Sequence, residues 1–333
     1  MNERNLGRRA LLKGVAITGA AAAVATVLPA GTAGAASRGY GSGGGVRQVP
    51  GIGTVIDTSH ATPGVSRVLS AYFLAKTGKQ PEATMAQINR AQMNYLDAVT
   101  GEIWPSWQSL HDLFAKNMPK WPADGKSYAT RILGDDRSAI VFFSNTPGLF
   151  APGEIRATGV VNLQGGRIAR WVDYWDGRHV GIDYVRGKRE PFPADFKEGT
   201  VGETAASVMR RAVDGLAGAL ATGASTRQFF AEDAVFEDVA AHVFLVGPAA
   251  ITRFLTSARD LLPYAGPGSA VRHTLGGALG GGYEWTSRGP APHGVTGLEL
   301  DARGLITRAT AVWDGSFVDD ATLAALAQKA VEH

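Results

Sequence analysis

The feature that most constrains the fold of this chain is an internal repetition of its sequence. Asp97 follows Asn-Tyr-Leu, Asp238 follows Val-Phe-Glu, and a Trp-Asp-Gly triplet comes later in each half, around Asp176 and Asp314. The two aspartates are 79 residues apart in the first half and 76 in the second. Matching landmarks at matching spacings predict two copies of one small domain.

Length and composition agree with two globular domains. The chain has 333 residues, of which 45% are hydrophobic and 19% charged. The formal net charge is only +3, and Arg4, Arg8, Arg9 and Lys13 lie in the N-terminal segment. No nucleic-acid partner is therefore expected.

The first residues have the pattern of an export signal. Arg8 and Arg9 precede an apolar run over residues 15–28, and Ala33-Gly34-Ala35 follows as a small-residue cleavage sequence. We expect residues 1–35 to be removed. The paired arginines favour the twin-arginine route, with a general secretion signal as the alternative. The run is too short for a comfortable membrane span, and the chain has no cysteine for a disulfide or a lipid anchor. The mature protein is expected to be secreted or extracytoplasmic, without a stable membrane anchor.

The rest of the chain divides by composition and periodicity. We predict a flexible glycine-rich leader over residues 36–61, a first repeat over 62–187, a proline-rich and charged linker over 188–200, and a second repeat over 201–333. In each repeat, helical spacing gives way to one strand, another helix and then alternating segments joined by short turns. This order predicts an α+β fold with antiparallel meanders.

Several segments resemble a known family. The segments at 229–238, 247–254 and 301–306, followed by Trp313 and Asp314, are similar to the nuclear-transport-factor-2-like fold and to its SnoaL-like polyketide cyclases. The first half is similar more loosely, because residues 104–107 replace a glycine-proline helix start. The resemblance implies two tandem cone-shaped domains, each a curved antiparallel sheet wrapped around helices. It does not fix the function, since one fold hosts many activities.

Asp238 and Asp97 are the first catalytic candidates. Strand alternation places Asp238 on the same face as Phe236. A carboxylate beside an aromatic ring loses hydration, so its pKa rises and it can transfer protons near neutral pH. The resemblance adds that enzymes of the fold place a working acid on this strand. The alternative is an aspartate that caps a turn. The second half keeps the family pattern more closely, so Asp238 ranks ahead of Asp97.

Asp176 and Asp314 each precede a glycine, so both a catalytic role and a turn-forming role stay open. His273 on a central strand could pair with Asp238 as acid and base, or be an ordinary strand histidine. No metal site is expected, because the sequence lacks His-x-His and His-Glu-x-x-His patterns. No cofactor is expected either.

Aromatic residues are predicted to form both the core and the walls of an apolar pocket. The candidates for the pocket are Tyr95, Trp104, Tyr174, Phe236 and Trp285. A pocket of this kind suits a small hydrophobic, polyketide-like ligand.

Two functions follow from these features. The first is an exported, cofactor-free enzyme that cyclises, isomerises or opens the epoxide of a hydrophobic natural product. The second is a non-catalytic binding or self-resistance protein that sequesters such a molecule. A further alternative is that one half is a worn copy retained for the interface. An internal pseudo-dimer or a homodimer is the expected assembly.

Overall fold

The computed structural model describes the backbone of Arg47–Gln48, residues 55–190 and residues 204–331. All of them fall within one compact unit. The export signal predicted for residues 1–35 and most of the predicted linker lie outside the described residues. Within the described ranges, no helix is both long and apolar enough to cross a membrane.

In the described part of the first half there are eight strands and four helices. Helices α1 (Pro63–Thr77) and α2 (Pro81–Met85) begin with proline, whose fixed φ suits a first helical turn. Helix α3 (Trp107–Asn117) is capped by Ser106, and α4 (Ile182–Lys188) follows the last strand. The strands are β1 (Arg47–Gln48), β2 (Val55–Ala61), β3 (Asn94–Asp97), β4 (Ile103–Trp104), β5 (Ser127–Gly134), β6 (Ser138–Asn145), β7 (Ile155–Gln164) and β8 (Arg167–Trp175).

Six strands and three helices form the second half. Helix α5 (Ser207–Thr222) ends at Gly223 in the left-handed region, and α6 (Pro248–Ser257) again begins with proline. Helix α7 (Asp320–Ala330) is capped by Asp319. The strands are β9 (Phe230–Asp238), β10 (Val243–Val246), β11 (Ser269–Gly276), β12 (Gly280–Ser287), β13 (His293–Leu300) and β14 (Ile306–Trp313).

The two sheets share one strand order. The first sheet has the order β1-β2-β5-β6-β7-β8-β3-β4. The second sheet, read from its other end, has the order β11-β12-β13-β14-β9-β10, so its six strands correspond one to one with β5-β6-β7-β8-β3-β4. In both sheets the strand that ends at the landmark aspartate pairs parallel to the last strand, β3 with β8 and β9 with β14. The predicted α+β class, with two curved sheets and helices packed on them, is confirmed.

One difference concerns the predicted leader. Residues 55–61, which the composition assigned to a flexible segment, form strand β2 and pair parallel to β5 through Asp57 and Arg131, and through His60 and Leu133. The burial of alternate residues in β2, Ile56 and Thr58, explains why this segment is ordered. Because the segment before β2 is rich in glycine, the prediction from composition missed the short alternating pattern of residues 55–61.

Strand alternation separates an inner face, packed against helices, from an outer face. On β8, Trp171 and Trp175 point to the inner face and join the core formed with α1. The next residues along the strand, Val172 and Tyr174, point to the outer face and join a different cluster. Burial of each large aromatic ring contributes roughly 1.5–3 kcal/mol to the free energy of folding.

The outer faces of the two sheets pack together. Their shared apolar cluster contains residues of both halves, including Val160 and Val172 of the first and Val295 and Val312 of the second. Charged residues surround it: the fully buried carboxylate of Glu284 accepts two hydrogen bonds from Arg170, at 2.7 and 2.9 Å. A cavity of about 460 Å³ lies beside this cluster, lined by Arg131 and Phe142 of the first half and by Glu237 and Thr310 of the second.

Candidate functional site

A candidate site lies on the inner face of the first sheet. It is a cavity of about 410 Å³ between the sheet and helices α1, α3 and α4. Trp104, Phe114, Trp121, Leu149 and Phe150 supply much of its apolar wall. Its titratable lining residues are Lys76, Tyr95, Asp97, Glu102, Lys120, Asp173, Tyr184 and Lys188. The cavity therefore combines apolar walls with a few converging polar groups, as ligand sites usually do.

Two carboxylates stand side by side in this cavity. Asp97 on β3 and Asp173 on β8 are direct partners in the parallel pairing of the two strands. Directly paired residues of neighbouring strands point to the same face, so both side chains point into the cavity. The close approach of two acids that are distant in sequence is the central geometric feature of the site.

Asp173 lies between two tryptophans of β8 and is held by aromatic donors. The Tyr95 hydroxyl and the Trp171 indole N–H each donate a hydrogen bond to a different oxygen of its carboxylate. Burial raises the pKa of Asp173 from its ordinary value of 3.8 to about 6. The positive charge of Lys76 and the two hydrogen bonds limit this rise because they favour the charged form.

Asp97 is the last residue of β3. Its carboxylate accepts hydrogen bonds from the backbone N–H groups of Val99 and Thr100, both at 2.9 Å, and from the Trp175 indole N–H at 3.1 Å. Burial and the charge of Asp173 raise the pKa of Asp97 from 3.8 to about 7. Burial raises the pKa of both carboxyls, so the pair keeps a proton to a higher pH than an isolated carboxyl would.

Lys76 adds a buried amine to the same cavity. It lies on α1, one turn after Tyr72, and only 2% of its surface is exposed. Its Nζ atom lies 5.0–5.8 Å from the ring centroids of five aromatic residues, Tyr72, Phe73, Phe114, Phe143 and Phe150. The Tyr72 hydroxyl is also buried and has no hydrogen-bond partner among the described residues.

The second half keeps the aspartate but not its neighbour. Asp238 is fully buried, and it accepts hydrogen bonds from the Tyr264 hydroxyl at 2.7 Å and from the Trp313 indole N–H at 3.0 Å. Its partner across the parallel pairing is Ala311, at the position where β8 has Asp173. Asp238 thus corresponds to Asp97 without a second carboxylate beside it.

Two more residues of the first site are replaced by different residues in the second half. Tyr95 pairs with Trp104 in the first half, and Phe236 pairs with Leu245 at the corresponding register of the second. Phe236 packs against Phe254 in the second core. The second half has a smaller cavity of about 250 Å³, lined by Trp285, Tyr264 and Tyr283 among others; Asp238 is not among its described lining residues.

Asp176 and Asp314 join the two halves. Asp314 accepts a hydrogen bond from the Gly177 N–H at 3.1 Å, and Asp176 accepts one from the Gly315 N–H at 3.2 Å. Each aspartate also accepts from the backbone N–H two residues ahead, as a turn-capping side chain does. We name these two reciprocal bonds the aspartate clasp. Of the two roles that the sequence left open, the geometry favours the structural one.

The remaining candidates lie away from the first cavity. His273 is half-buried on β11, and its Nε2 lies 3.3 Å from Asn162 of the first half. The Tyr174 hydroxyl donates a hydrogen bond to Glu284 at 2.8 Å, which places this ring in the contact between the sheets. Of the five predicted pocket residues, Tyr95 and Trp104 line the first cavity and Trp285 lines the second.

One group of side chains has the composition of a metal site. Asp176, His179 and His242 bring one potential ligand atom each to within 4.8 Å of one another. However, the Arg178 guanidinium donates hydrogen bonds to both oxygens of Asp176, at 2.6–3.0 Å, and Gly315 donates another. A cation at this point would have to displace an arginine that already neutralises the only carboxylate of the group.

Asp173 and Lys76 are the site residues that the sequence prediction missed. Each nevertheless has a sequence signal. Asp173 occurs at the middle of the alternation Trp171, Asp173, Trp175, which places an acid on an aromatic face. Lys76 occupies a helical position four residues after Tyr72, on the stripe that packs against the sheet. A charged residue at an apolar position of a regular pattern is informative because burying it is unfavourable.

Comparison with known proteins gives fold-level likenesses only. No family model and no curated protein sequence matches the chain. Among solved structures, a putative ketosteroid isomerase from Kribbella flavida is 20% identical and covers 43% of this chain and 92% of its own, with a TM-score of 0.30. An NTF2-like protein of unknown function from Cytophaga hutchinsonii is 12% identical, with 34% and 90% covered and a TM-score of 0.29.

A putative polyketide cyclase from Sinorhizobium meliloti is similar to a comparable degree. It is 15% identical and covers 33% of this chain and 97% of its own, with a TM-score of 0.28. Identities and TM-scores this low carry no argument about activity. The function of the chain is therefore argued from the residues of its own cavity.

Proposed function

We propose that the first half is an acid/base enzyme that moves a proton on an apolar carbonyl compound. Asp173 is the base, because its pKa of about 6 leaves it ionised at neutral pH. Asp97 is the acid, because its pKa of about 7 leaves much of it protonated under the same conditions. Two carboxyl groups of different pKa in one cavity supply both halves of a proton transfer.

The observation that carries the proposal is the direct pairing of Asp97 with Asp173 inside a cavity with largely aromatic walls. Charges are unfavourable there, so a fold that needed only stability would gain little from two adjacent buried acids. Tyr95 positions the base: its pKa lies well above 10, so its hydroxyl stays protonated and continues to donate to Asp173.

The walls define the class of substrate. A cavity of about 410 Å³ lined by Trp104, Trp121 and Phe150 suits a bicyclic or tricyclic aromatic molecule, such as a polyketide-derived ketone. Removal of a proton next to a carbonyl produces an enolate, which is the step common to isomerisation and to intramolecular cyclisation. We favour these two reactions over epoxide opening, because both use the base and the acid on one carbon skeleton.

We further infer that the halves are tandem copies of which only the first retains the chemistry. The support is the set of replacements at equivalent register: Ala311 for Asp173, Phe236 for Tyr95 and Leu245 for Trp104. Each replacement removes a polar group or a wall residue of the first cavity. The second half is then the copy that has lost the chemistry. Asp238, at the position that corresponds to Asp97, provides a control residue.

The test is exchange of a carbon-bound hydrogen in a model ketone. The wild-type protein should speed deuterium incorporation at C2 of 1-indanone in D₂O, followed by proton NMR. Asp173→Asn should lower the protein-dependent rate by at least about 100-fold, since general base catalysis is worth roughly 10²–10⁴-fold. Asp97→Asn should also lower it, whereas Asp238→Asn should not. Equal rates in Asp173→Asn and wild type would refute the assignment.

A binding protein is the second candidate, and one observation favours it. All four carboxylate oxygens of Asp97 and Asp173 already accept a hydrogen bond, as in acids that only hold structure. In that case calorimetry would show 1-indanone binding equally to wild type and to Asp173→Asn. Exchange would then proceed at the rate seen without protein.

A further inference from the structure

The buried amine of Lys76 has no role in the proton transfer proposed above. The side chain extends from the sheet-facing stripe of α1, and Asp173 and Asp97 line the same cavity. Lysines are almost never fully buried unless they are paired, because removing an ammonium group from water is strongly unfavourable. A lysine that is 2% exposed therefore needs an explanation.

Pairing does not explain this lysine. No described residue forms a hydrogen bond or an ion pair with the amine of Lys76, and its closest surroundings are aromatic rings. Lys79, three residues further along, shows the ordinary alternative: it is half-buried and donates to the Ala123 carbonyl oxygen at 2.7 Å. Lys76 is instead directed into the cavity that would hold the ligand.

Burial shifts this amine toward its neutral, reactive form, whereas the aromatic rings around Nζ favour the ammonium. Burial lowers the pKa of Lys76 from 10.5 to about 8, although the negative charge of Asp173 acts in the opposite direction. A lysine desolvated in an apolar pocket is the usual form of an amine nucleophile, because only the neutral amine attacks a carbonyl carbon. At pH 7.5 to 8 a substantial share of Lys76 is then unprotonated.

We propose that Lys76 is a nucleophile that forms a Schiff base with a ketone or aldehyde group of the bound ligand. Nζ attacks the carbonyl carbon to give a carbinolamine. The carbinolamine hydroxyl takes a proton and leaves as water while the C=N bond forms, so no oxidant or reductant is needed. Asp97, which lines the same cavity and is the acid of the proposed function, supplies that proton.

This inference rests on the proposed function, because both place a carbonyl ligand in the same cavity. It narrows the substrate class to ketones and aldehydes whose carbonyl can reach Lys76 at the α1 wall. A Schiff base also makes the neighbouring carbon more acidic, so Asp173 would have an easier proton to remove. The amine and the base would then act on adjacent carbons.

The experiment uses a 1,3-diketone as the probe. The wild-type protein is incubated at pH 7.5 with 1-phenyl-1,3-butanedione, which condenses with a neutral amine to a stable enaminone. We expect one adduct per chain, with the mass of the probe less one water, and peptide mapping should place it on Lys76. Labelling of exposed lysines should be at least tenfold slower, because a lysine amine in water has a pKa of ~10.4 and only the neutral amine condenses.

Three variants sharpen the result. Lys76→Met and Lys76→Arg should both lose the adduct, and Lys76→Arg shows that positive charge alone does not suffice. Lys116→Met is the control, since Lys116 is exposed on α3 and is not among the residues that line the cavity, and it should label as wild type does. Circular dichroism confirms that each variant is folded. The adduct is mapped on the wild-type protein, so the test can be read even if Lys76→Met does not fold.

The outcomes separate the two proposals. An adduct spread over surface lysines, or one that survives in Lys76→Arg, overturns the nucleophile. If that occurs while Asp173→Asn still abolishes hydrogen exchange in 1-indanone, the proton-transfer function stands without it. If Lys76 is labelled but exchange is unchanged in Asp173→Asn, the nucleophile stands and the acid/base assignment fails.

Discussion

At the scale of single residues, the function depends on what surrounds each carboxylate. Asp97 and Asp238 occupy corresponding strand ends, and both accept a hydrogen bond from a tryptophan indole. They differ because Asp97 has Asp173 beside it, whereas Asp238 has Ala311. In the proposed function, this one neighbouring carboxylate distinguishes Asp97 from the structural aspartate of the second half.

The Tyr95 hydroxyl should tune the base. Its hydrogen bond stabilises the charged form of Asp173 and so lowers the pKa of that group. Tyr95→Phe removes the donor, so the pKa of Asp173 should rise above about 6 and the ionised base should form only at higher pH. Profiles of 1-indanone exchange against pH should show the midpoint displaced upward.

The sign of this shift has a direct check. The Tyr95→Phe rate should fall most at pH 6 and approach the wild-type rate toward pH 8, because Asp173 becomes ionised in both proteins. Phe236 shows that phenylalanine fits this position of the fold, since it occupies the corresponding register in the second half. An unchanged midpoint would mean that Tyr95 does not position the base.

At the scale of elements, helices and strands follow closely from local pattern. The apolar spacing Val65, Leu69, Tyr72 and Phe73 predicts α1, and the alternation in the meanders predicts β5 to β8 and β11 to β14. Neither pattern shows which strands pair. The contact of β3 with β8 joins residues far apart in sequence, so the pairing of Asp97 with Asp173 could not be predicted.

The sequence therefore predicts part of the lining of the cavity. Tyr95, Asp97 and Trp104 were candidates from their own segments, and all three line the cavity. Ranking Asp238 ahead of Asp97 relied on how well each half kept a motif, whereas the geometry favours Asp97. The partner that decides the difference, Asp173, lies on another strand. Motif resemblance measures shared fold, and catalytic capacity depends on such non-local neighbours.

The aspartate clasp is expected to stabilise the contact between the two Trp-Asp-Gly turns. Asp314→Ala leaves the N–H groups of Gly177 and Ser316 without their acceptor and Arg189 without its carboxylate. Buried groups left unpaired each cost about 1–3 kcal/mol, so urea unfolding should show a loss of roughly 2–4 kcal/mol.

A surface variant and an activity assay complete this test. Glu154→Ala removes an exposed ion pair with Arg156 and should change the free energy of unfolding by less than about 1 kcal/mol. Hydrogen exchange in 1-indanone should persist in folded Asp314→Ala, because the clasp lies outside the cavity. A large activity loss with unchanged stability would instead make Asp314 a catalytic group.

At the scale of the whole molecule, the halves are joined through their outer faces. Glu284 of the second half is the centre of this contact: Arg170 and Tyr174 of the first half and Arg272 of the second all donate to it. Burial alone would raise the pKa of Glu284, but the two arginines hold it below its ordinary value. The carboxylate is therefore charged when the halves are packed.

Glu284→Gln should lower the free energy of unfolding of both halves together. It leaves two arginines facing a neutral amide, and loss of one partner from a buried ion pair costs about 3–5 kcal/mol. Urea unfolding followed by tryptophan fluorescence and by circular dichroism should give one coincident transition at lower urea. Glu237→Gln is the control, since its pair with Arg308 is 3.8 Å long and partly exposed. Two separate transitions in wild type would contradict this coupling.

The most direct test of proton abstraction by Asp173 is the Kemp elimination of 5-nitrobenzisoxazole, because this reaction needs only a base that removes one proton from carbon. Rates should be measured against pH in wild type, Asp173→Asn and Asp238→Asn. Our account predicts a wild-type rate that rises through a midpoint near the Asp173 pKa of about 6, a loss of at least about 100-fold in Asp173→Asn, and no loss in Asp238→Asn. A wild-type rate in Asp173→Asn, or a loss confined to Asp238→Asn, would contradict it.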